Sequence, residues 1–525
     1  MKASRRGFFQ GALGGGLLAA AVSDTLAQTP AARVRLADMP STEVLGQPEE
    51  RRSRNGLLDT QLTIQYAHHT IDGDLVYLRT YEGALVGPTL RVKRGDTMKV
   101  RVVNALPADL PAATMSHDMN RPHDINVTNL HTHGLHISPS GTADNVLLEI
   151  GSGSMFPYEF KIEGDHADGT FWYHAHKHGS SAVQLGSGMA GALIVEGPLD
   201  DYLNGQGFGD RILVMQQIPY SFKYDTDKKQ NIPATVEWPN VFHDKFSRFT
   251  LINGELKPQI VIFGKAERWR FVHGGISEME DLALQDAQGK NIPFNRIAVD
   301  GITTGKVDAL DSLEMGPGYR IDVLVKLPPG NYKLVKLAKP AAQSLRGLDE
   351  AGQELADVIV RGDAPQMLPS DAQMSRFVPA LPNIDEITGE KRVVTFTAQP
   401  VWPSINGAKF QPDPTLPGHI NQRIKLNTTD EWVLGNETLA SPGARRFAHP
   451  FHIHVNPFKV MRILDDKGRE VTPHENVWRD TILVRPKYKV TIRSHYQRFT
   501  GRAVLHCHIL SHEDEGMMQI IDIRP

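Results

Sequence analysis

Three stretches of this chain repeat one pattern, and few folds can satisfy it. GPTLRVKRGDTMKVRVVN at 87 to 104, KPQIVIFGKAERWRFVHG at 257 to 274 and NQRIKLNTTDEWVLGNE at 421 to 437 each run from an alternating apolar strand through a short polar turn into a second alternating strand. Side chains on a strand point alternately to opposite faces, so this period-two pattern belongs to sheets with one buried side. Val100 and Trp269 are 169 residues apart, and Trp269 and Trp432 are 163 apart, which predicts three similar all-β domains in tandem. A chain of 525 residues exceeds what one core organises, in keeping with such a division. The 46 glycines and 34 prolines, with few stretches at helical spacing, fit many strands and turns. Polar, turn-rich segments at 197 to 211 and 364 to 383 read as linkers, so the domains are expected at 45–198, 208–365 and 384–525.

The first 27 residues stand apart. MKASRRGFFQGALGGGLLAAAVSDTLAQ has paired Arg5 and Arg6, an apolar run near residues 11 to 22, and Thr25-Leu26-Ala27 as a small-residue cleavage site. This is the layout of an export signal. The order Ser4-Arg5-Arg6-Gly7-Phe8-Phe9 resembles a twin-arginine signal, which implies the Tat machinery as export partner and a periplasmic or extracellular location. The apolar run is too short and Gly-rich for a membrane anchor, and no cysteine near the cleavage site could carry a lipid. Lys plus Arg number 57 and Asp plus Glu 60, for a net charge of −3, and no block of like charge suggests nucleic acid as a partner.

Histidine carries the chemistry. LHTHG holds His131 and His133, FWYHAHKHG holds His174 and His176, HPFHIH holds His449, His452 and His454, and HCHILSHEDEGMM holds His506, Cys507, His508, His512 and Met517. On a strand, residues i and i+2 share a face, so each His-x-His presents two imidazoles side by side. Imidazole suits copper, zinc, iron and nickel, whereas calcium or magnesium would need clustered oxygen ligands. Cys507 is the single cysteine, so it forms no internal disulfide. Its side chain faces away from the imidazoles of His506 and His508, which lets one strand serve two metal sites on the order of 10 Å apart. A thiolate, two imidazoles and a weak axial thioether make a blue-copper electron-transfer site, here from Cys507, His512, Met517 and His449. Pro450 and Phe451 are expected to turn His449 to a different side from His452 and His454. Zinc fits poorly, because structural zinc prefers several thiolates. His136 and His178 read as loop or supporting residues, and His68, His69, His117 and His123 as surface or loop groups. Met115, His117, Met119 and His123 form a polar loop in which an extra copper ion is the lesser expectation.

In order and spacing, HTHG, HAH, HPFHIH and HCHILSHEDEGMM resemble the copper signatures of the multicopper oxidases, in particular bacterial laccase-like enzymes with three cupredoxin domains. YEGALVGPTLRVKRGD, AVDG at 298 to 301, PGYRIDVLV at 317 to 325 and WRDTILV at 478 to 484 extend the resemblance over nearly all of the chain beyond the signal. The resemblance implies four copper ions per chain. Type 1 copper would take His449, Cys507, His512 and axial Met517, and type 2 copper His131 and His452. One type 3 copper would take His133, His174 and His508, the other His176, His454 and His506. Domains 1 and 3 would share the three-copper cluster, with domain 2 as a spacer. The implied reaction is one-electron oxidation of a reductant near His512, transfer through Cys507 to His506 and His508, and reduction of O2 to two waters. Asp144 and Glu513 resemble the family's proton-handling carboxylates. The implied reductant is a small electron-rich phenol or other aromatic compound. A rival is cuprous or ferrous oxidation for copper tolerance, though the 15 methionines are scattered and form no rich insert. A second rival, a non-catalytic cupredoxin-like structural protein, sits badly with a complete ligand set, and a two-domain nitrite reductase with the chain length.

Overall fold

The computed structural model describes residues 44–109, 118–225, 230–238, 249–398, 403–413, 415, 418–437, 446–472 and 477–525. The expected export signal lies outside these residues, as do Met115 and His117. Among the described residues no helix is long and apolar enough to cross a membrane.

Among the described residues the strands form six sheets that pack face to face in pairs, giving three cupredoxin-like β-sandwiches. The repeated pattern explains the architecture. In each repeat the first strand lies in one sheet and the second in the facing sheet, and both take parallel partners. The first strands pair Leu90 with Leu193, Ile260 with Val358 and Ile424 with Ile523. The second strands pair Val100 with Thr60, Trp269 with Arg211 and Trp432 with Arg392. Val100, Trp269 and Trp432 are wholly buried, each in the core of its own sandwich. The short turn between the strands is thus a corner where the chain changes layer, and the apolar faces meet across it.

Two features cross the divisions expected from sequence. Leu45 packs in the core of the middle sandwich. The hairpin Ser221–Asp225 and Gln230–Thr235 joins a sheet of the first sandwich, where Ala234 pairs with Val76. The linkers are also more ordered than their composition suggests. Each folds a short helix, Pro198–Gly205 and Asp371–Met374, and Leu199, Leu203 and Met374 close a small apolar cluster with Phe208, Ala266, Ile297 and Leu324. His68 and His69 lie on the long strand Leu57–Ile71, His68 at the surface as expected and His69 half-buried.

Candidate metal centre

Four short strands and their ends bring the histidines together. His131–His133 pairs antiparallel with Gly169–His174, setting His131 opposite His174. His449–Ile453 pairs antiparallel with Gly501–Cys507 and with Thr481–Val484, setting His452 opposite His506 and Thr481. His449 lies on this same unbroken strand. It faces away from His452 and His454 by simple alternation, three and five residues being odd offsets, and not through a turn at Pro450 and Phe451 as the sequence suggested.

The first and last sandwiches thereby meet in a pocket of eight imidazoles, none more than 2% exposed. The rings of His131 and His454 stack at 3.9 Å, and those of His133 and His452 at 3.7 Å. Nε2 of His176 is 3.1 Å from Nε2 of His506, and the His508 ring is 5.1 Å from that of His133 and 5.5 Å from that of His174. Ring nitrogens converge within 4.8 Å in the groups His131/His452/His454, His131/His133/His174 and His176/His454/His506. Burial first, then crowding by the other rings, pushes the His131, His133, His174, His454 and His508 pKa values well below the usual range. Burial likewise brings His452 down to about 3 and His506 to about 4. Neutral rings with open lone pairs are what metal ligation requires.

Several rings are held by their outer nitrogen. His131 Nδ1 donates to Asp144 at 2.9 Å, His174 Nδ1 to the Ala175 carbonyl at 2.9 Å, and His452 Nδ1 to the Asp480 carbonyl at 2.9 Å. Each of these three leaves Nε2 buried and without a partner. His133 is reversed. Its Nε2 lies 3.1 Å from Asp480 Oδ1 and 3.3 Å from Thr481 Oγ1, and Nδ1 is the bare atom. Such outer contacts fix the tautomer and aim of a ligand.

On the other face of the same strand, the ligand atoms of His449, Cys507 and His512 lie within 4.8 Å of one another, with His449 Nδ1 3.4 Å from Cys507 Sγ. The Ile509 N–H points at that sulfur from 3.4 Å. Met517 is buried in the same apolar cluster, its carbonyl accepting from Cys507 N and its N–H donating to the His512 carbonyl. Burial pushes the Cys507 thiol up, so ionising it here takes a strong Lewis acid. His512 is 6% exposed, and the Phe447 ring packs edge-on against it at 4.9 Å.

Two carboxylates flank the histidines as the sequence suggested. Asp144, raised to about 7 by burial, accepts from His131 and from the Thr132 N–H. Glu513 Oε2 is 3.1 Å from His506 Nδ1, and Oε1 is 3.5 Å from His176 Nδ1. The sequence did not point to Asp514 or Ser181. The Ser181 hydroxyl lies 2.9 Å from Glu513 and 2.7 Å from Asp514, and burial raises Asp514 to about 7. Asp480 was also missed as a site residue, although the WRDTILV motif that holds it was visible. His123 is buried at 8% exposure, and its ring centroid is 6.1 Å from that of His178.

Bare buried ring nitrogens, low ring pKa values and a thiol among imidazoles form a donor set that fits copper. Family models described as multicopper oxidase match residues 119–200 and 376–525. A multicopper oxidase of Staphylococcus aureus is 27% identical over 451 residues, covering 84% of this chain and 83% of that protein. A laccase of Bacillus subtilis is 23% identical over 88% of this chain and 94% of that one. The solved multicopper oxidase of Campylobacter jejuni, described as a metallo-oxidase, superposes with a TM-score of 0.72 at 23% identity, covering 93% of this chain and 96% of that one. The two matched segments are multicopper oxidase domains, and the chain is a copper-dependent oxidoreductase with O2 as electron acceptor.

Proposed function

We propose that this protein is a laccase-like oxidase that takes single electrons from phenolic and related aromatic compounds and reduces O2 to water, with four coppers per chain. His449, Cys507, His512 and axial Met517 would hold type 1 copper, and His131 and His452 type 2. His133, His174 and His508 would hold one type 3 copper, and His176, His454 and His506 the other. When bound, the coppers supply the one-electron acceptor and the centre where O2 takes up four electrons.

The observation that carries the reading is the two-sidedness of one strand. Cys507 faces His449 and His512, while His506 on the same strand faces the eight-ring pocket, so two sites share consecutive covalent bonds. His512 would be the entry ring, because it is the most exposed of these ligands at 6%. The half-buried Phe447 ring against it favours a flat aromatic reductant. A bound thioether at Met517 favours the oxidised metal and so lowers the potential, which suits easily oxidised phenols. Water formation consumes protons. Glu513 beside His506 and His176, with Asp514 joined to it through Ser181, would deliver them, and Asp144 would serve the His131 side.

The competing reductant is cuprous or ferrous ion, in keeping with the Campylobacter jejuni neighbour's description as a metallo-oxidase. Oxygen uptake by the copper-loaded protein, with a dimethoxyphenol and with cuprous ion, decides between them. Faster uptake on the phenol, with no net peroxide, is expected, and a strong preference for cuprous ion would overturn the aromatic assignment. Cys507→Ser is expected to abolish the blue colour and phenol oxidation together. A variant that stays blue would remove the type 1 site.

A further inference from the structure

Four motifs end at one point that the copper ligands do not explain. AVDG supplies Asp300, PGYRIDVLV supplies Arg320, WRDTILV supplies Asp480, and HTHG supplies Gly134. Arg320 comes from the middle sandwich and is fully buried. A guanidinium has five N–H donors, and here each has an acceptor. Nε reaches the Thr170 carbonyl at 3.3 Å, Nη1 the Gly318 carbonyl at 2.8 Å and Asp480 Oδ1 at 2.9 Å, and Nη2 the Asp300 carbonyl at 3.0 Å and Asp480 Oδ2. Those acceptors come from all three sandwiches. Asp300 also holds the backbone around Asp480, its Oδ2 3.3 Å from the N–H groups of both Asp480 and Thr481.

What Arg320 clamps is the residue that orients two rings. Asp480 Oδ1 meets His133 Nε2, and the Asp480 carbonyl accepts from His452 Nδ1. His133 is the one ring among those with a held outer atom that offers Nδ1 inward, and Asp480 with Thr481 is what reverses it. The Gly318 that accepts from Arg320 also lies against the rings, a Cβ there falling 3.1 Å from both His133 Cε1 and His508 Cδ2. The middle sandwich supplies none of the twelve proposed copper ligands, yet its residues bound the pocket.

We infer that Arg320 is a positioning residue of the histidine cluster: by holding Asp480 bidentate it sets which nitrogen His133 and His452 turn toward the metals, so the middle domain is a working wall of the cluster and not a spacer. Lysine would not replace it, because a point charge with three donors cannot span two carboxylate oxygens and three carbonyls. This inference rests on the ligand assignment proposed above. Another ion pair between the middle and last sandwiches, Arg485 with both oxygens of Glu314 at 2.7 and 2.8 Å, is partly exposed and serves as the control for mere stapling.

The test uses the full copper-loaded chain with Arg320→Lys, Asp480→Asn and Arg485→Gln. Copper per chain after dialysis against a chelator, the electron paramagnetic resonance of type 2 copper and the near-ultraviolet band of the type 3 pair are read against the blue band of type 1 copper. Arg320→Lys and Asp480→Asn are expected to keep the blue band, to show an altered type 2 signal, and to hold cluster copper roughly ten-fold or more less tightly. Arg485→Gln is expected to match wild type. Cluster signals unchanged in both Arg320→Lys and Asp480→Asn, or changed equally in Arg485→Gln, would overturn the inference. Should Arg320→Lys fail to fold, the isosteric Asp480→Asn decides alone, and its loss of the blue band along with the cluster signals would count against a local role. Wild type lacking cluster copper would instead sink the ligand assignment.

Discussion

Replacing Gly134 by alanine asks how tightly the buried ion pair is built into the HTHG motif. Gly134 sits at φ +89°, and a Cβ there would fall 2.4 Å from Arg320 Nη2, 2.6 Å from Asp480 Oδ2 and 3.0 Å from Phe171 Cδ1. None of these can move cheaply, since both charged groups are buried and already bonded on their other sides. The left-handed backbone alone costs an alanine about 1–2 kcal/mol. Prying apart a buried, hydrogen-bonded ion pair costs about 3–5 kcal/mol more. The expected loss is therefore about 4–7 kcal/mol, or roughly 10–25 °C in the melting transition of a sandwich of this size. Gly153 separates the two contributions, because it has φ +74° and a Cβ added there would meet nothing within 4 Å. Gly153→Ala is expected to cost only the backbone part. Differential scanning calorimetry of both variants, with identical copper loading, makes the comparison. Equal shifts in the two would refute the argument that the ion pair fills the space a side chain would take.

Two further outcomes follow from named groups. Glu513→Gln keeps an oxygen for the Ser181 hydroxyl but has no proton to give, so steady-state oxygen consumption should fall on the order of 100-fold or more, while anaerobic bleaching of the blue band by substrate proceeds as in wild type; undiminished consumption would remove Glu513 from proton delivery. Glu280, in the middle sandwich, is raised to about 7 by burial against the pull of Lys336, and it accepts from Thr250 Oγ1 at 2.6 Å. Its folded pKa lies above the unfolded value, so the native state binds the extra proton and stability falls as pH rises from about 4.5 to about 7. Melting temperatures across that window should decline more steeply in wild type than in Glu280→Gln, and parallel curves would refute the assignment.

The parts of the site that could be read from sequence are those set by strand period. His-x-His pairs, and a cysteine between two histidines, state their own geometry, because alternation is local and needs no knowledge of the partner strand. His449 shows how strict that rule is, since an odd offset was enough to send it to the side of Cys507 and His512 without any turn. The short helices inside the linkers went unread for the converse reason. Helices of eight and four residues are stabilised mainly by what they pack on, and Leu199 and Met374 meet across 175 positions of chain. The same holds for Asp514 and Ser181, 333 positions apart, and for Arg320 and Asp480, 160 apart. Nothing in the local pattern around any of them announces a partner.

Why the family motifs include residues far from any metal follows from the cost of building such a pocket. Eight imidazoles removed from water lose hydration that only ligation restores, so without outer contacts each ring would turn its better nitrogen toward whatever polar group was nearest. The fold resists this by holding the outer atom of ring after ring with a carboxylate or carbonyl whose own position is fixed. Asp144 receives the Thr132 N–H as well as His131, and Asp480 receives Arg320 as well as His133. The carboxylates therefore cannot swing to follow a ring, and the rings must settle against them. Because Asp480 is anchored by a domain that gives none of the proposed ligands, closing the pocket requires all three sandwiches to dock, and under that assignment metal binding would be coupled to the docking.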